Sequence, residues 1–213
     1  MGRKPITLLL VIVFALTCLT GCSGEFKTKS VVDAAKKCGM NALSTAEFER
    51  RMSGGTFRII DEYDLESDRS PAYYVSENSE TANAIYAKYF QTDTTDVPGL
   101  EELVCCENDN SGFGLALFRS VSDDSAKMLY KHWADFFKDD DTVCYSGNKS
   151  GYEYTLAYFK SPENEGREDF DCAYIKGRTV ILLFASISQN DDRKTLDTFC
   201  KSLGLVLPED AKK

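Results

Sequence analysis

The sequence predicts an α+β domain in which helices pack on a mostly antiparallel sheet. Three observations support this prediction. Several segments alternate apolar and polar residues with the period of a half-buried strand. A strand-like segment is followed three times by a polar turn and an amphipathic helical segment. Hydroxyl and acidic residues stand at the starts of these helices, where they satisfy unpaired amides and the positive end of the helix dipole.

Two short helices are predicted at the start of the domain. Ser30 and Asp33 have the spacing of a capping box, and apolar residues then recur at helical intervals up to Gly39. This glycine suits the left-handed position that follows a helix. Ser44 and Glu47 repeat the box spacing, so we predict that a second helix begins there.

A strand is predicted over residues 56–63, and three strand-to-helix units follow it. In each unit the strand is apolar, the turn contains acidic, amide or hydroxyl residues, and the helix has one apolar face. Residue identities between the units are few. We therefore predict a single domain, with two similar halves as the alternative. The strands and helices of the three units are 72–75 with 82–90, 113–118 with 126–137, and 180–187 with 196–203.

Two further strands are predicted between the second and third units. Residues alternate over 152–158 and over 170–174, as in strands with one buried face. Turns at 147–151 and 176–178 would join these strands to antiparallel neighbours. The segment 180–185 is apolar at every position, which predicts a central strand buried on both faces.

The start of the chain has the composition of an export signal. Arg3 and Lys4 supply positive charge, and an apolar segment over 6–16 follows. That segment has the length of a signal-peptide core and is shorter than the ~20 residues that span a bilayer. The alternatives are an uncleaved anchor helix and an ordinary signal peptide cut elsewhere.

The tetrapeptide Leu19-Thr20-Gly21-Cys22 resembles the lipobox of bacterial lipoprotein precursors. In that family a diacylglycerol is joined to the cysteine thiol, and signal peptidase II cleaves just before it. The resemblance implies a covalent lipid on Cys22, attachment to the cell membrane and a domain on the extracytoplasmic side. The predicted order is a signal peptide (1–21), a lipidated tether (22–29), a single α+β domain (30–207) and a loose tail (208–213).

The mature chain is predicted to be strongly acidic. The full sequence has 25 basic and 34 acidic residues, and loss of Arg3 and Lys4 with the signal leaves 23 basic residues and a net charge of −11. Phosphate backbones repel such a surface, which excludes nucleic acid as a partner. Anionic membranes repel it as well, so we expect membrane attachment to depend on the lipid.

Six cysteines remain after cleavage and lipidation, and in an exported chain they are candidates for up to three disulfides. Free thiols are the alternative, because Cys38 and Cys200 fall on apolar helix stripes. Cys105 and Cys106 would point to opposite faces of a strand, so we expect no bond between them. The candidate disulfide cysteines are Cys38, Cys105, Cys106, Cys144, Cys172 and Cys200.

No motif assigns a catalytic residue, a metal or a cofactor other than the covalent lipid. His132 is the single histidine, and its place beside Trp133 indicates a packing role. Residues 107–112 open like a calcium loop, but Phe118 stands where a bidentate carboxylate is needed. The acidic run 139–141 follows a helix, where negative charge is unfavourable, and is predicted to be a solvated turn.

Tyrosines on the predicted strands mark the candidate binding surface. Tyrosine is common where proteins meet proteins or sugars, because it buries area and keeps a polar tip. We therefore expect a non-enzymatic surface domain that binds or scaffolds an envelope protein or glycan. The alternatives are an envelope hydrolase with a carboxylate pair and the small receptor of an importer. The tyrosines of the candidate surface are Tyr152, Tyr154, Tyr158 and Tyr174.

Overall fold

The computed structural model of the protein describes residues 24–52, 70–90, 99–108, 112–138, 142–160, 168–187, 190–207 and 210. Within these ranges, five helices lie on an eight-stranded sheet. The predicted α+β class, mostly antiparallel sheet and single domain are confirmed. All eight strands belong to this one sheet, from the strand at residues 41–42 to the strand at residues 179–187.

The elements, in chain order, are α1 (Thr28–Lys37), β1 (Asn41–Ala42), α2 (Thr45–Met52), β2 (Ala72–Ser76), α3 (Ser79–Tyr89), β3 (Leu100–Asn108), β4 (Phe113–Ser120), α4 (Asp123–Phe136), β5 (Val143–Lys149), β6 (Tyr152–Lys160), β7 (Glu168–Lys176), β8 (Thr179–Ile187) and α5 (Asn190–Leu203). The strand order across the sheet is β1-β2-β3-β4-β8-β7-β6-β5. The short β1 runs parallel to β2, and each of the other neighbouring pairs is antiparallel.

The first helix begins earlier than its predicted capping box. α1 starts at Thr28, and Lys27 holds the cap position without a side-chain hydrogen bond. The Ser30 amide donates to the Lys27 carbonyl at 2.8 Å, which places Ser30 inside the first turn. The predicted end is confirmed, because Gly39 has a φ of 77° and so adopts the left-handed conformation.

The next three helices begin with side-chain caps, as their sequences predict. At α2 the Ser44 amide donates to Glu47 Oε2 at 2.9 Å, and the Glu47 amide donates to Ser44 Oγ at 3.3 Å. The Asn78 side chain accepts an amide of α3 at 3.0 Å, and the Ser122 hydroxyl accepts one of α4 at 3.1 Å. These bonds satisfy amides that have no partner within the helix.

Strand β5 was not predicted. Residues 147–151 were expected to form a turn, but β5 continues to Lys149, and the turn is the pair Ser150 and Gly151 with φ of 52° and 78°. Two positive φ values are typical of the tight turns that match the twist of a hairpin. β5 lies at the sheet edge with half of its residues exposed, so it lacks the alternation that reveals a strand in a sequence.

Helices cover both faces of the sheet. α1 and α5 pack on one face, which we call the α1–α5 face, and α2, α3 and α4 pack on the other, the α2–α4 face. The central β4 contributes to both cores, with Leu115 and Leu117 towards α1 and α5 and Ala116 and Phe118 towards the other helices. β8 lies between β4 and β7, which confirms the central position predicted for 180–185.

One end of the sheet is made of short connections. Strands β2, β4, β7 and β5 run in the same direction, because one antiparallel strand lies between each of them and the next in the sheet. They therefore all end on the same side of the sheet. Their connections to the next element are residues 77–78, 121–122, 150–151 and 177–178. We call this the turn end and the other the opposite end.

Several predicted features lie outside the described residues: the export signal and Cys22, the strand over 56–63, the acidic run 139–141, and the tail from Pro208 apart from Asp210. In the part of the chain that the structure describes, no helix has both the length and the apolar character needed to cross a membrane.

Candidate functional site

Two of the four tyrosines of the predicted binding surface are buried. Tyr152 and Tyr174 are 4 % and 0 % exposed, and both belong to the core beneath the end of α5. The Tyr152 hydroxyl donates to the Gly204 carbonyl at 3.0 Å, and the Tyr174 hydroxyl donates to the Val206 carbonyl at the same distance. These hydroxyls hold the segment that follows α5 on the sheet and do not face a partner.

The other two tyrosines, Tyr154 and Tyr158, are half-buried on β6. Tyr154 is paired with Gly147 of β5, and a Cβ at Gly147 would approach the Tyr154 hydroxyl to 2.8 Å. The glycine therefore gives room for the ring to lie across β5. Tyr158 donates to Glu168 Oε1 at 3.2 Å. Tyr145 on β5 is half-buried beside them, so three tyrosines form a partly open patch.

The tyrosine patch adjoins an edge strand with exposed residues on both sides. In the described residues no strand pairs with the outer side of β5. Val143 at its start is 51 % exposed, and Ser146 and Asn148 are exposed as well. An unpaired row of backbone amides and carbonyls can accept an added strand from another chain. We therefore take β5 with Tyr145, Tyr154 and Tyr158 as the candidate binding site.

Four of the six cysteines lie on the α1–α5 face, where Cys106, Cys172 and Cys200 are buried and Cys38 is half-buried. Cys106 and Cys172 stand in one row of the sheet, with Leu115 and Leu183 between them. Since strands are about 4.8 Å apart, these two cysteines are separated by roughly 14 Å and cannot bond. Each of them can bond only to a cysteine of the helices on this face, which are Cys38 at the end of α1 and Cys200 on α5.

The remaining two cysteines, Cys105 and Cys144, pack on the α2–α4 face. Cys105 points away from Cys106, as the sequence predicts. Five strand spacings lie between β3 and β5, a separation of roughly 24 Å, so Cys105 and Cys144 cannot bond to each other. All six cysteines are free thiols in the structure. Their pairing in the oxidised protein stays a prediction, and the geometry restricts it to the four cysteines of the α1–α5 face.

Burial keeps the thiols of this face protonated. Burial raises the pKa of Cys172 to about 12. Burial also raises the pKa of Cys106 and of Cys200 well above the usual value. Neighbouring thiols make a smaller contribution in each case: Cys38 raises the pKa of Cys106, and Cys172 and Cys38 raise the pKa of Cys200. These influences indicate that Cys38 is near both Cys106 and Cys200 and that Cys172 is near Cys200. A protonated buried thiol is a poor nucleophile, so none of them has the character of a catalytic cysteine.

The single histidine lies on α4 as a half-buried residue. The His132 ring meets the Trp133 ring edge-on, with centroids 5.8 Å apart. No group of three or more His, Cys, Asp or Glu side chains within the described ranges is arranged to hold a metal ion. The calcium-like segment 107–112 is described only at Glu107, Asn108 and Gly112.

An ion-pair network at the turn end was not predicted. Glu25 contacts two arginines, Arg178 in the turn before β8 at 3.0 Å and Arg119 on β4 at 3.2 Å. Glu101 on β3 contacts the same two arginines at 3.2 and 3.4 Å. We call Glu25, Glu101, Arg119 and Arg178 the arginine clasp. It ties the residues that precede α1 to the ends of three strands.

Phe26 adds uncharged contacts to the clasp. Its amide donates to the Thr179 hydroxyl at 2.9 Å. Its ring lies 5.6 Å from the Tyr152 ring, and the Lys176 ammonium is 5.9 Å from the Phe26 centroid. Residues 25 and 26 are thus packed against the folded domain. Nothing in the sequence spacing indicates these contacts, because the partners lie about 75–155 positions away along the chain.

Comparison with known proteins gives a weak structural likeness. No protein-family model matches the chain, and no curated protein matches it. The chain is similar to a solved structure, the extracellular domain of PknH from Mycobacterium tuberculosis, at 15% sequence identity and a TM-score of 0.36. That match covers 76% of this chain and 92% of the other. A likeness this distant carries no argument about function.

Proposed function

We propose that this protein is a lipid-anchored binding domain at the outer face of the bacterial cytoplasmic membrane. The lipobox resemblance ending at Cys22 is the observation that carries the proposal. The packing of Glu25 and Phe26 supports it, because the folded domain then begins only three residues after the lipidated cysteine. In the proposed arrangement two or three acyl chains hold the domain at the bilayer, and its acidic surface stays in water.

The partner that fits the candidate site best is an extended segment of an envelope protein. The outer side of β5 offers backbone hydrogen-bonding groups, and Tyr154 and Tyr158 offer amphipathic contact area beside it. A second copy of this chain fits less well, since two strongly acidic domains repel each other. The proposed role is therefore capture or scaffolding of another protein through strand addition.

Metabolic labelling tests the anchor. Cells producing the protein are grown with labelled palmitate, and the label on the polypeptide is measured. We expect labelling of the native chain and of a Cys18→Ser control, which removes the other cysteine of the signal. The Cys22→Ser chain should carry no label and should keep its signal peptide uncleaved, which shows as a higher mass. Equal labelling of both variants would overturn the assignment of Cys22.

Site-specific crosslinking tests the binding edge. A photoreactive residue replaces Ser146 or Asn148 on β5, and Met128 on α4 serves as the control because it is 62 % exposed on another part of the domain. We expect crosslinks from both β5 positions to one protein on intact cells, mapped by mass spectrometry to an extended segment. Crosslinks to that protein from Met128 at the same yield would contradict a site at β5.

A further inference from the structure

We infer that the arginine clasp fixes the orientation of the domain, so that the turn end of the sheet faces the lipid bilayer and the strands run away from it. The inference rests on the proposed lipidation of Cys22 and adds the surface that meets the membrane. The partner is the lipid surface itself, reached by the covalent chain. No separate pocket for a lipid is required.

The length of chain outside the clasp is the first argument. Glu25 is the third residue after Cys22, and a fully extended chain spans at most about 3.6 Å per residue. The Cα atom of Glu25 therefore lies within roughly 11 Å of the lipidated residue. Without the clasp, the chain would be free up to Lys27 before α1 begins, and the domain would have more room to tilt.

The second argument is that the clasp holds Glu25 from two sides. Arg119 ends β4 and Arg178 precedes β8, and both guanidinium groups contact the Glu25 carboxylate. Glu101 contacts both arginines as well, so the four charged side chains form one network. The Phe26 amide bond to Thr179 fixes the following residue at the same place. The residues that follow the anchor point thus contact the ends of adjacent strands at several places.

The third argument concerns the shape of the turn end. Four of its connections, at 77–78, 121–122, 150–151 and 177–178, are each two residues long. Charge does not select this end, because it carries both an exposed lysine, Lys149, and an exposed aspartate, Asp123. The orientation follows from the position of the anchor. It leaves the outer side of β5 accessible along its length.

Lysine footprinting on the unmodified fold tests the inference. The lipidated protein is placed in phosphatidylcholine vesicles, and a water-soluble amine-reactive ester labels its lysines. Mass spectrometry gives the labelling rate at each position, relative to the unlipidated Cys22→Ser protein. We expect a several-fold loss of reactivity at Lys27 and Lys149 of the turn end. Lys37 and Lys138 of the opposite end should keep their rates.

Charge-removing variants separate the clasp from the anchor. In the Arg119→Gln/Arg178→Gln double variant the turn-end protection should disappear, although the protein still floats with the vesicles. The control is Arg193→Gln, which removes an ion pair of similar exposure to Glu168 at 3.3 Å on the opposite end and should leave the protection intact.

The outcomes distinguish this inference from the proposed function. If the protein carries palmitate but its lysines react equally at both ends, or Lys37 and Lys138 are the protected ones, the proposed orientation is wrong. The lipid anchor would still be supported in that case. Protection that survives the double variant would show that the clasp does not set the orientation. Absence of palmitate would overturn both.

Discussion

The two faces of the sheet are stabilised by different chemistry. The α2–α4 face is packed mainly by aromatic rings, with Phe118 edge-on to Phe90 at 5.0 Å and Phe137 edge-on to Phe184 at 5.9 Å. The α1–α5 face contains four thiols and two tyrosine hydroxyls that bond to backbone carbonyls. Ring packing responds little to pH or oxidation, whereas buried thiols respond to both and buried tyrosine hydroxyls respond to pH. The α1–α5 face thus holds more of the groups that titrate or oxidise, although the α2–α4 face also contains the buried Cys105 thiol and the Tyr86 hydroxyl, whose pKa values burial raises.

The largest expected effect is loss of packing on the α2–α4 face. Phe118 is 0 % exposed and contacts Tyr86 and Phe90. We expect Phe118→Ala to lower the free energy of unfolding by about 3–5 kcal/mol, measured by urea titration at pH 7. Val143→Ala on the exposed edge should change it by less than about 0.5 kcal/mol. A loss below about 1 kcal/mol at Phe118 would show that this face is not held by its rings.

Alkaline pH should weaken the α1–α5 face. The pKa of Cys172 is raised from 9.0 to about 12 by burial, so the thiol favours the protonated folded state. Its contribution to stability is complete below pH 9 and is lost as pH rises from 9 to 12, by about 1.4 kcal/mol per pH unit. Tyr152, raised from 10.0 to about 12 by burial, adds to the fall above pH 10.

The measurement is the urea midpoint at pH 8 and at pH 10.5. The Cys172→Ala variant should lose less stability between these two values than the native protein does, even if it is less stable at pH 8. Cys144→Ala, with a half-buried thiol on the other face, is the control and should keep the native pH dependence. If the Cys172→Ala variant loses as much stability between pH 8 and pH 10.5 as the native protein does, ionisation of this thiol is not a cause of the alkaline loss of stability.

Oxidation should act on the α1–α5 face alone. With glutathione disulfide as oxidant, each pair of thiols gives up two electrons and two protons and two glutathione thiols are released. We expect the bonds Cys38–Cys106 and Cys172–Cys200, which join helices to the sheet, with a gain of about 2–4 kcal/mol per bond. Peptide mapping should find Cys105 and Cys144 unpaired. A bond from either of them within one chain would contradict the strand order.

The smallest effect in this series is loss of one hydroxyl. The Tyr174 hydroxyl bonds to the buried Val206 carbonyl at 3.0 Å. We expect Tyr174→Phe to cost about 1–3 kcal/mol, because the carbonyl is left without its donor. Tyr154→Phe, at a half-buried ring, should cost less. Equal losses would mean that the hydroxyl bonds do not distinguish the α1–α5 face, and urea titration of both variants decides this.

The candidate site shows where sequence patterns reach their limit. Alternation places Tyr152, Tyr154 and Tyr158 on one side of β6, and this is correct. It does not show that residues 204–206, which follow α5, cover Tyr152 and leave the other two half-open. Strand β5 escaped prediction for a related reason. An edge strand has no consistent buried side, so its burial pattern leaves little trace in the sequence.

The sequence by itself determined the α+β class, the helix cap at Ser44, the central place of β8, and the opposed directions of Cys105 and Cys106. Each depends on residues that are close along the chain, where spacing alone sets which groups meet. The tertiary structure decided which face each helix covers, which thiols are neighbours, and that Glu25 meets Arg119 and Arg178. Those contacts join distant segments, and strand order and packing bring them together.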